Sequence, residues 1–223
     1  MLHDAPVLSH LLQREWLSAP HTPLSGLDAA FANFLHSKEA SPDARHRWLA
    51  ALTSHQWGRG HACLDLDALH SQAAQLLAWS AEQLACLPPD LHTAAASLPW
   101  AEVISTLPSA TSGDLFAQAH ATQPLVLHLS AAHPKGRLYL RRAWRAEQTI
   151  RQQLGARLAL ASAAPSDLAQ RLDGLFPPPS TPDAIDMQRR ACEVAAQHRI
   201  TLITGGPGTG KTTTVVRLLS TLV

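Results

Sequence analysis

The chain has 223 residues, of which 46% are hydrophobic and 16% are charged, and its formal net charge is +1. This length and apolar content are sufficient for one or two globular domains with a substantial core. The near-neutral charge excludes a global attraction to nucleic acid or to an anionic membrane, so any such binding has to come from local patches.

The first half of the chain reads as short amphipathic helices with proline- and serine-bearing breaks. We predict three helices there: 25–36, a second that begins at Pro42 with Ser41 as its cap and runs through Leu52, and 67–87. The glycines of 58–60 end the second helix, and 61–66 is predicted to be extended. Prolines punctuate 88–108, where we expect irregular turns.

From Pro124 the pattern changes to extended runs. Residues 125–129 and 137–140 flank a polar loop, which predicts a β-hairpin, and a helix is predicted over 143–160. This part of the chain is its most basic, with Lys135, Arg137, Arg141, Arg142, Arg145, Arg151 and Arg157. Two readings of these residues stay open: a patch for nucleic acid or an acidic partner, and a solvated or subunit-contacting face.

A run of three prolines and a serine at 177–180 is the clearest boundary in the sequence. Before it we predict a short helix over 166–176 that is capped by Ser166. After it we predict a helix that is capped by Thr181, has Pro182 at its first position and ends near His198.

Residues 205–212 read Gly-Gly-Pro-Gly-Thr-Gly-Lys-Thr, a complete G-x-x-x-x-G-K-[ST] phosphate-binding loop. The β-branched run 200–204 before it predicts a buried parallel strand, and the apolar spacing of 211–222 predicts a helix after it. Glycines allow consecutive backbone N–H groups to point inward at phosphate. The sequence therefore predicts a nucleotide site at the start of an α/β P-loop domain.

The residue types of the loop have separate tasks. Lys211 can reach the β- and γ-phosphates of ATP, and the Thr212 hydroxyl is placed to coordinate Mg²⁺, which makes these two residues the catalytic candidates. Gln188 lies among small apolar residues of the preceding helix, where its amide could read an adenine edge or could sit at the helix margin. The predicted ATP-binding residues are Gln188, Gly205, Gly206, Pro207, Gly208, Thr209, Gly210, Lys211, Thr212 and Thr213.

Other residue types indicate no second site of chemistry. The 13 histidines show no metal-ligand spacing, and no nucleophile motif is present. The cysteines form no C-x-x-C pair and the N-terminus lacks a basic secretory start, which favours a reducing cytoplasm. No apolar run approaches the roughly 20 residues that cross a bilayer, so we expect no membrane partner.

Four segments in order span nearly the whole chain: Gly60-His61-Ala62-Cys63-Leu64-Asp65-Leu66, then Gly136-Arg137-Leu138-Tyr139-Leu140 with Trp144 and Glu147, then Leu172-Asp173-Gly174-Leu175-Phe176-Pro177, then 205–214 with Gln188 before it. This combination resembles the N-terminal part of the α subunit of exodeoxyribonuclease V, the RecD helicase family. The resemblance implies a mainly α-helical N-terminal domain with a small β-hairpin, followed by the start of a RecA-like P-loop motor domain. It also implies that Gln188 contacts adenine.

The resemblance further implies an ATP-dependent 5′-to-3′ DNA helicase subunit in a heterotrimer with β and γ subunits, acting in double-strand break repair by homologous recombination. The implied domains are a docking domain over 1–162, a short helix and linker over 163–182, and an incomplete motor domain over 183–223. The family's acidic pair, arginine finger and second motor domain would follow Val223, so we expect no appreciable ATP hydrolysis by this chain alone.

Two alternatives to a motor subunit stay open. One is a docking module without motor activity, which DNA-stimulated ATP turnover by the chain would exclude. The other is an unrelated P-loop ATPase, which an Asp-Glu pair soon after Val223 in the coding region would exclude.

Overall fold

In the computed structural model, the described residues are 23–106, 122–160, 164–177 and 186–222. The chain groups into two compact units, 1–146 and 147–223. The predicted cap Thr181, the predicted first helical residue Pro182 and the proline run beyond Pro177 lie outside the described residues. The division of the chain at 162 and 182 stays a prediction.

Helices and one mixed sheet build the first unit. Its helices are α1 (Gly26–His36), α2 (Ala44–Gly58), α3 (Leu66–Leu77), α4 (Ala81–Leu84) and α5 (Leu91–Ala94), with a 3₁₀ turn at Ala95–Ser97. Its strands are β1 (Cys63–Asp65), β2 (Ala101–Ser105), β3 (Leu125–Ser130) and β4 (His133–Leu140). Helix α6 (Arg141–Leu158) begins in this unit and ends in the second.

Helix α1 begins as predicted, but the cap of α2 differs from the prediction. Ser25 and Asp28 form a reciprocal capping box at the start of α1. Helix α2 begins at Ala44 and not at Pro42, because the Asp43 carboxylate, rather than Ser41, accepts a hydrogen bond from the backbone of Arg45 at 2.8 Å. An aspartate at this position satisfies an N–H group that the helix itself leaves without a partner.

The single helix predicted over 67–87 is wrong, because the chain breaks after Leu77. Ala78 adopts a left-handed conformation with φ of 54°, and α4 restarts with its own capping box at Ser80. The carbonyl groups at the end of α3 have partners from elsewhere: the Arg59 guanidinium donates to the oxygens of Leu76 and Leu77 at 2.8 Å each. These tertiary hydrogen bonds stabilise a helix end that local sequence does not predict.

The predicted hairpin is confirmed, but its loop is shorter than predicted, because β4 already begins at His133, and the hairpin belongs to a larger sheet. The strand order is β1-β4-β3-β2, in which β3 pairs with β4 antiparallel and β1 pairs with β4 antiparallel. Strand β2, for which irregular turns were predicted, pairs with β3 in parallel. The Arg141 guanidinium pairs with the Glu102 carboxylate of β2 and donates to the Gln123 oxygen at 2.8 Å, which ties the outer strand to the start of α6.

The sheet has apolar residues on both faces. Leu125, Leu127 and Leu138 belong to one core cluster with the helices of the first unit. Val126 and Tyr139 alternate with them and belong to a second cluster that contains Trp144 of α6. This alternation is the period of two that a β-strand imposes, so both faces of the hairpin are covered. Among the described residues, no helix is long and apolar enough to cross a bilayer.

A buried carboxylate links α1 to α2. Burial alone would raise the pKa of Asp28, but hydrogen bonds from His55, Ser54 and Ser25 outweigh it and hold the pKa below its usual value of 3.8. The Trp79 indole donates to the other ring nitrogen of His55 at 3.3 Å. Asp28 is therefore held ionised by partners from two helices.

Three helices are described in the second unit after α6: α7 (Leu168–Leu175), α8 (Met187–Gln197) and α9 (Lys211–Leu222). One predicted start differs. Helix α7 begins at Leu168 after Asp167, not at Ser166, and the Asp167 carboxylate pairs with Arg171 at 2.8 Å instead of capping the helix. Helix α8 begins at Met187, where the Asp186 carboxylate caps it, and its predicted start at Pro182 lies outside the described residues.

The core of the second unit is small. It consists of Leu168, Leu172, Phe176, Cys192 and Ala196. These residues come from α7, the residue after it, and α8, and Leu218 of α9 packs against them. Through this core α7 packs beside the two helices that flank the loop 205–210.

Candidate nucleotide-binding site

The glycine-rich loop leads directly into α9. Gly208 and Gly210 have φ of 77° and 78°, in the left-handed region that favours glycine. A Cβ on Gly210 would lie 2.5 Å from the Gln188 amide nitrogen, so this position is restricted by space as well as by conformation. The loop's curvature therefore depends on two of the glycines that the motif requires.

Lys211 lies across the loop in this structure. Its ammonium group donates to the carbonyl oxygens of Gly205 and Gly206 at 2.6 Å each. The Thr209 hydroxyl also donates to the Gly206 oxygen, at 2.9 Å. An ammonium group held by two carbonyl oxygens can exchange them for phosphate oxygens, which are charged and stronger acceptors.

The predicted site residues lie together around the loop. Gly205, Gly206, Pro207, Gly208 and Thr209 are exposed, Gly210 and Lys211 are half-buried, and Thr212 and Thr213 are exposed in the first turn of α9. The first N–H groups of a helix lack intrahelical partners, and the helix dipole adds positive potential there. This end of α9 can therefore receive an anion, and the exposed Thr212 hydroxyl is a suitable oxygen ligand for Mg²⁺.

Gln188 has a partner at each end of its amide. Its nitrogen donates to the Thr209 carbonyl oxygen at 3.2 Å, and its oxygen accepts from the Arg217 guanidinium at 3.2 Å. The structure thus places Gln188 against the loop, 21 residues away along the chain. Arg217 was not singled out by the sequence, because nothing in the motif marks an arginine two turns into the following helix.

A cavity of about 420 Å³ lies beside the loop. It is lined by α8, by the segment before the loop, by the loop itself and by α9, and the lining includes Gln188, Thr204, Gly205, Thr209 and Lys211. Both the phosphate-binding candidates and the base-reading candidate therefore face one space. Its volume lies in the usual range for small-ligand sites.

The buried parallel strand predicted over 200–204 is wrong for the described residues. The structure assigns no strand there, and Leu202 is 88% exposed. A strand is defined by hydrogen bonds to a neighbouring strand, and the described part of the second unit contains none. On α9, Val215, Val216, Leu219 and Leu222 are likewise exposed, so the apolar residues flanking the loop are largely uncovered.

The basic segment has several partners within the chain. The Arg142 guanidinium lies over the Trp57 ring, 4.7 Å from its centroid, and Arg141 pairs with Glu102. Such contacts orient these arginines for packing. The two readings of the segment's surface, nucleic acid and subunit contact, stay predictions.

One group of three potential metal ligands occurs among the described residues, and its members all belong to the first unit. Asp65, Asp67 and His133 bring ligand atoms within 4.8 Å of one another. The His133 ring nitrogen lies 3.0 Å from Asp65, Arg137 pairs with the same carboxylate oxygen at 3.4 Å, and the Lys135 backbone N–H donates to Asp67. Because cationic and N–H donors already surround these carboxylates, the group acts as a structural ion-pair cluster between β1, α3 and β4.

Comparisons with known proteins match both units. Residues 21–139 match the family described as RecBCD enzyme subunit RecD, N-terminal domain, and residues 188–223 match the AAA domain family. A Mycobacterium tuberculosis protein named RecBCD enzyme subunit RecD is 41% identical over 123 residues, which cover 55% of this chain and 19% of that protein.

Two further relatives extend the similarity. A Haemophilus influenzae protein of the same name is 31% identical over 209 residues, which cover 89% of this chain and 31% of that protein. A Deinococcus radiodurans protein named ATP-dependent RecD2 DNA helicase is 35% identical over 91 residues, which cover 41% of this chain and 12% of that protein. The chain thus spans less than a third of the length of these relatives.

Proposed function

Because this chain belongs to the RecD family of RecBCD enzyme subunits, we propose that it provides the ATP-binding loop of a 5′-to-3′ DNA helicase subunit. The observation that carries the proposal is the geometry of 205–212. Two glycines with positive φ curve the loop, and Lys211 and the first turn of α9 follow it at once. This arrangement is suited to hold the phosphates of a nucleotide.

Each loop residue has a defined part in this proposal. Lys211 releases the carbonyl oxygens of Gly205 and Gly206 and donates to phosphate oxygens. The Thr212 hydroxyl holds Mg²⁺, which when bound neutralises charge on the phosphates. Gln188 presents an amide to the adenine edge from across the cavity. Transfer of the γ-phosphoryl group to water would also need a positioned water and stabilisation of the developing charge.

The assembly is part of the same proposal. We place the chain in a cytoplasmic heterotrimer with the β and γ subunits of exodeoxyribonuclease V, acting on DNA in recombinational repair of double-strand breaks. The relatives named as RecBCD enzyme subunits support this placement. In such a complex, Lys211→Ala is expected to abolish ATP-driven unwinding while leaving assembly intact, because the ammonium group of the lysine donates to the loop carbonyl oxygens of Gly205 and Gly206.

Fluorescence titration with ATP carrying an N-methylanthraniloyl group (mant-ATP) tests the nucleotide site directly. Lys211→Ala is expected to remove most of the affinity. Thr212→Ala is expected to remove the part of the affinity that depends on Mg²⁺. The matched control is Ser220→Ala, which removes a hydroxyl from an exposed position of the same helix outside the predicted site and should keep that dependence. Binding of mant-ATP that neither Lys211→Ala nor Thr212→Ala weakens refutes the proposed site.

A second candidate function is a docking module that acts without motor activity. The observation that favours it is that the match to the RecD N-terminal domain covers 21–139, within a first unit that has its own core. Co-purification of the chain with β and γ subunits, combined with no ATP turnover, supports this candidate. DNA-stimulated ATP turnover by the chain excludes it.

A further inference from the structure

Two histidine rings meet between helices α3 and α5 of the first unit. His70 of α3 and His92 of α5 have ring centroids 4.3 Å apart, and the planes of the rings are inclined at 57°. The histidines of the sequence show no metal-ligand spacing, because the fold and not the local sequence brings this pair together. Imidazole nitrogens are common ligands of transition-metal ions, so the pair is a candidate metal site.

Both rings line one cavity of about 220 Å³. Its wall is otherwise mostly apolar and includes Leu69 of α3, Leu84 of α4 and Leu91 of α5. Among the described residues of the wall, Asp90 is the remaining polar one. Two potential nitrogen ligands and one potential oxygen ligand therefore border a space that is large enough for an ion and several water molecules.

The polar atoms of these three side chains are available to a ligand. Within the described part of the chain, the ring nitrogens of His70 and His92 have no hydrogen-bond partner, and the Asp90 carboxylate does not cap α5. In the ion-pair cluster described above, by contrast, the His133 ring nitrogen already lies 3.0 Å from the Asp65 carboxylate. A cation at the histidine pair would not have to displace such a partner.

The charge state of His92 also suits a metal ligand. Burial lowers the pKa of His92 below its usual value of 6.5, and the neighbouring His70 and Lys135 lower it further. The carboxylates of Asp90 and Asp67 act in the opposite direction. At neutral pH the His92 ring is therefore neutral and has the nitrogen lone pair that a metal ion requires.

We propose that His70 and His92 bind a divalent transition-metal ion of the zinc class at this cavity, with Asp90 as a third ligand and water completing the coordination. Zinc takes histidine nitrogens at about 2.0–2.1 Å and carboxylate oxygens at about 2.0–2.2 Å. The ligand atoms of the three side chains are not as closely grouped as those of the ion-pair cluster, so side chains have to rotate onto the ion. His70 and Asp90 are exposed and can do so without repacking the core.

The bound ion would join α3 to α5 through one histidine from each helix. The inference does not rest on the proposed nucleotide-binding function. Zinc binding is measured without nucleotide, so a chain that fails to bind mant-ATP still tests the metal site, and a chain that fails to bind zinc leaves the proposed function standing.

Isothermal titration of the metal-free 223-residue chain with zinc chloride at neutral pH tests the site. We expect one strongest site, which His70→Gln and His92→Gln each weaken at least about tenfold, since even the loss of a partner behind a metal ligand costs that much affinity. The matched control is His61→Gln, because His61 is an exposed histidine of the same unit and should not affect the Kd.

His133→Gln distinguishes the histidine pair from the ion-pair cluster, and it is expected to retain the affinity. Loss of the strongest binding in His133→Gln, with His70→Gln and His92→Gln unaffected, would place the ion at the other cluster and overturn the proposal. The same conclusion follows if the unsubstituted chain binds no zinc, or if all the variants, His61→Gln included, bind it equally.

A second measurement requires no substitution and therefore does not depend on how the variants fold. In the NMR spectrum of the histidine ring carbons, one equivalent of zinc should shift the resonances of His70 and His92 together and leave those of His61 in place. Shifts confined to other histidines contradict the proposal. Because the ion binds the folded chain, zinc should also raise the urea midpoint of the unsubstituted chain more than that of His92→Gln.

Discussion

Gly210→Ala perturbs the loop through two separable effects. The residue has φ of 78°, and an added Cβ would lie 2.5 Å from the Gln188 amide nitrogen and 3.6 Å from its Cδ. The substitution therefore places an alanine in a left-handed conformation. Its methyl group also pushes the Gln188 amide away from the Thr209 oxygen. Both effects oppose the loop conformation that we propose binds nucleotide.

The size of the effect follows from these two contributions. A left-handed conformation costs a non-glycine residue about 1–2 kcal/mol. Displacing Gln188 weakens its hydrogen bonds to Thr209 and Arg217, which together contribute about 1–2 kcal/mol. The sum of about 2–4 kcal/mol corresponds to mant-ATP affinity that is weaker by roughly 30- to 700-fold.

Gly208→Ala is the matched control, since Gly208 has nearly the same φ of 77° but an added Cβ would meet nothing within 4 Å. It should show only the conformational cost, a loss of roughly 5- to 30-fold. Each variant is titrated with mant-ATP by itself and as a double variant with Gln188→Ala. The extra loss of affinity in Gly210→Ala should disappear in the double variant, because the glutamine that the new methyl group would contact is then absent. Equal losses in Gly208→Ala and Gly210→Ala would refute the reasoning.

Three further predictions concern the first unit. In Gly136→Ala, at φ of 99°, the new Cβ would lie 2.7 Å from Leu127 Cδ1. We therefore expect the free energy of unfolding, measured by urea titration, to fall by about 2–4 kcal/mol. The control Gly60→Ala has open space around the new Cβ and should lose only about 1–2 kcal/mol. Since the pKa of Asp28 is lowered below 3.8, its ionised form contributes stability that is complete above that value and is lost as pH falls through the folded pKa. Asp28→Asn should therefore lower the urea midpoint at pH 7 and flatten its decline in acid; an unchanged acid profile argues against this account. Leu49→Ala, at a fully buried position, should cost about 2–5 kcal/mol in the same titration, and a loss under 1 contradicts its place in the core.

The parts of the fold that were predictable from sequence depend on local chemistry. The loop at 205–212 and helix α9 follow from glycine spacing and apolar periodicity. The hairpin of β3 and β4 follows from alternation around a polar loop. In each case the decisive residues lie within about a dozen positions of one another, which is the range over which sequence patterns predict structure.

The missed features depend on partners that are distant in sequence. The break at Ala78 is stabilised by Arg59, whose guanidinium donates hydrogen bonds to carbonyl oxygens 17 and 18 residues away in the sequence. Strand β2 is short and is recognisable only once β3 lies beside it. Arg217 was missed because it meets Gln188 across 29 residues and has no place in the phosphate-loop motif. Segment 200–204 was predicted as a strand from its β-branched run before the loop, but such a run does not supply the neighbouring strand that a strand requires.

The contacts of Lys211 set a limit on what its removal can measure. Its ammonium group already donates to two loop carbonyl oxygens. Nucleotide binding therefore replaces these acceptors with phosphate oxygens. The affinity lost in Lys211→Ala therefore reports the difference between phosphate and carbonyl as partners of the lysine. The empty loop, whose exposed carbonyl groups can turn to water, should keep its shape without the lysine, so heat and denaturant should unfold that variant much as they do the unsubstituted chain.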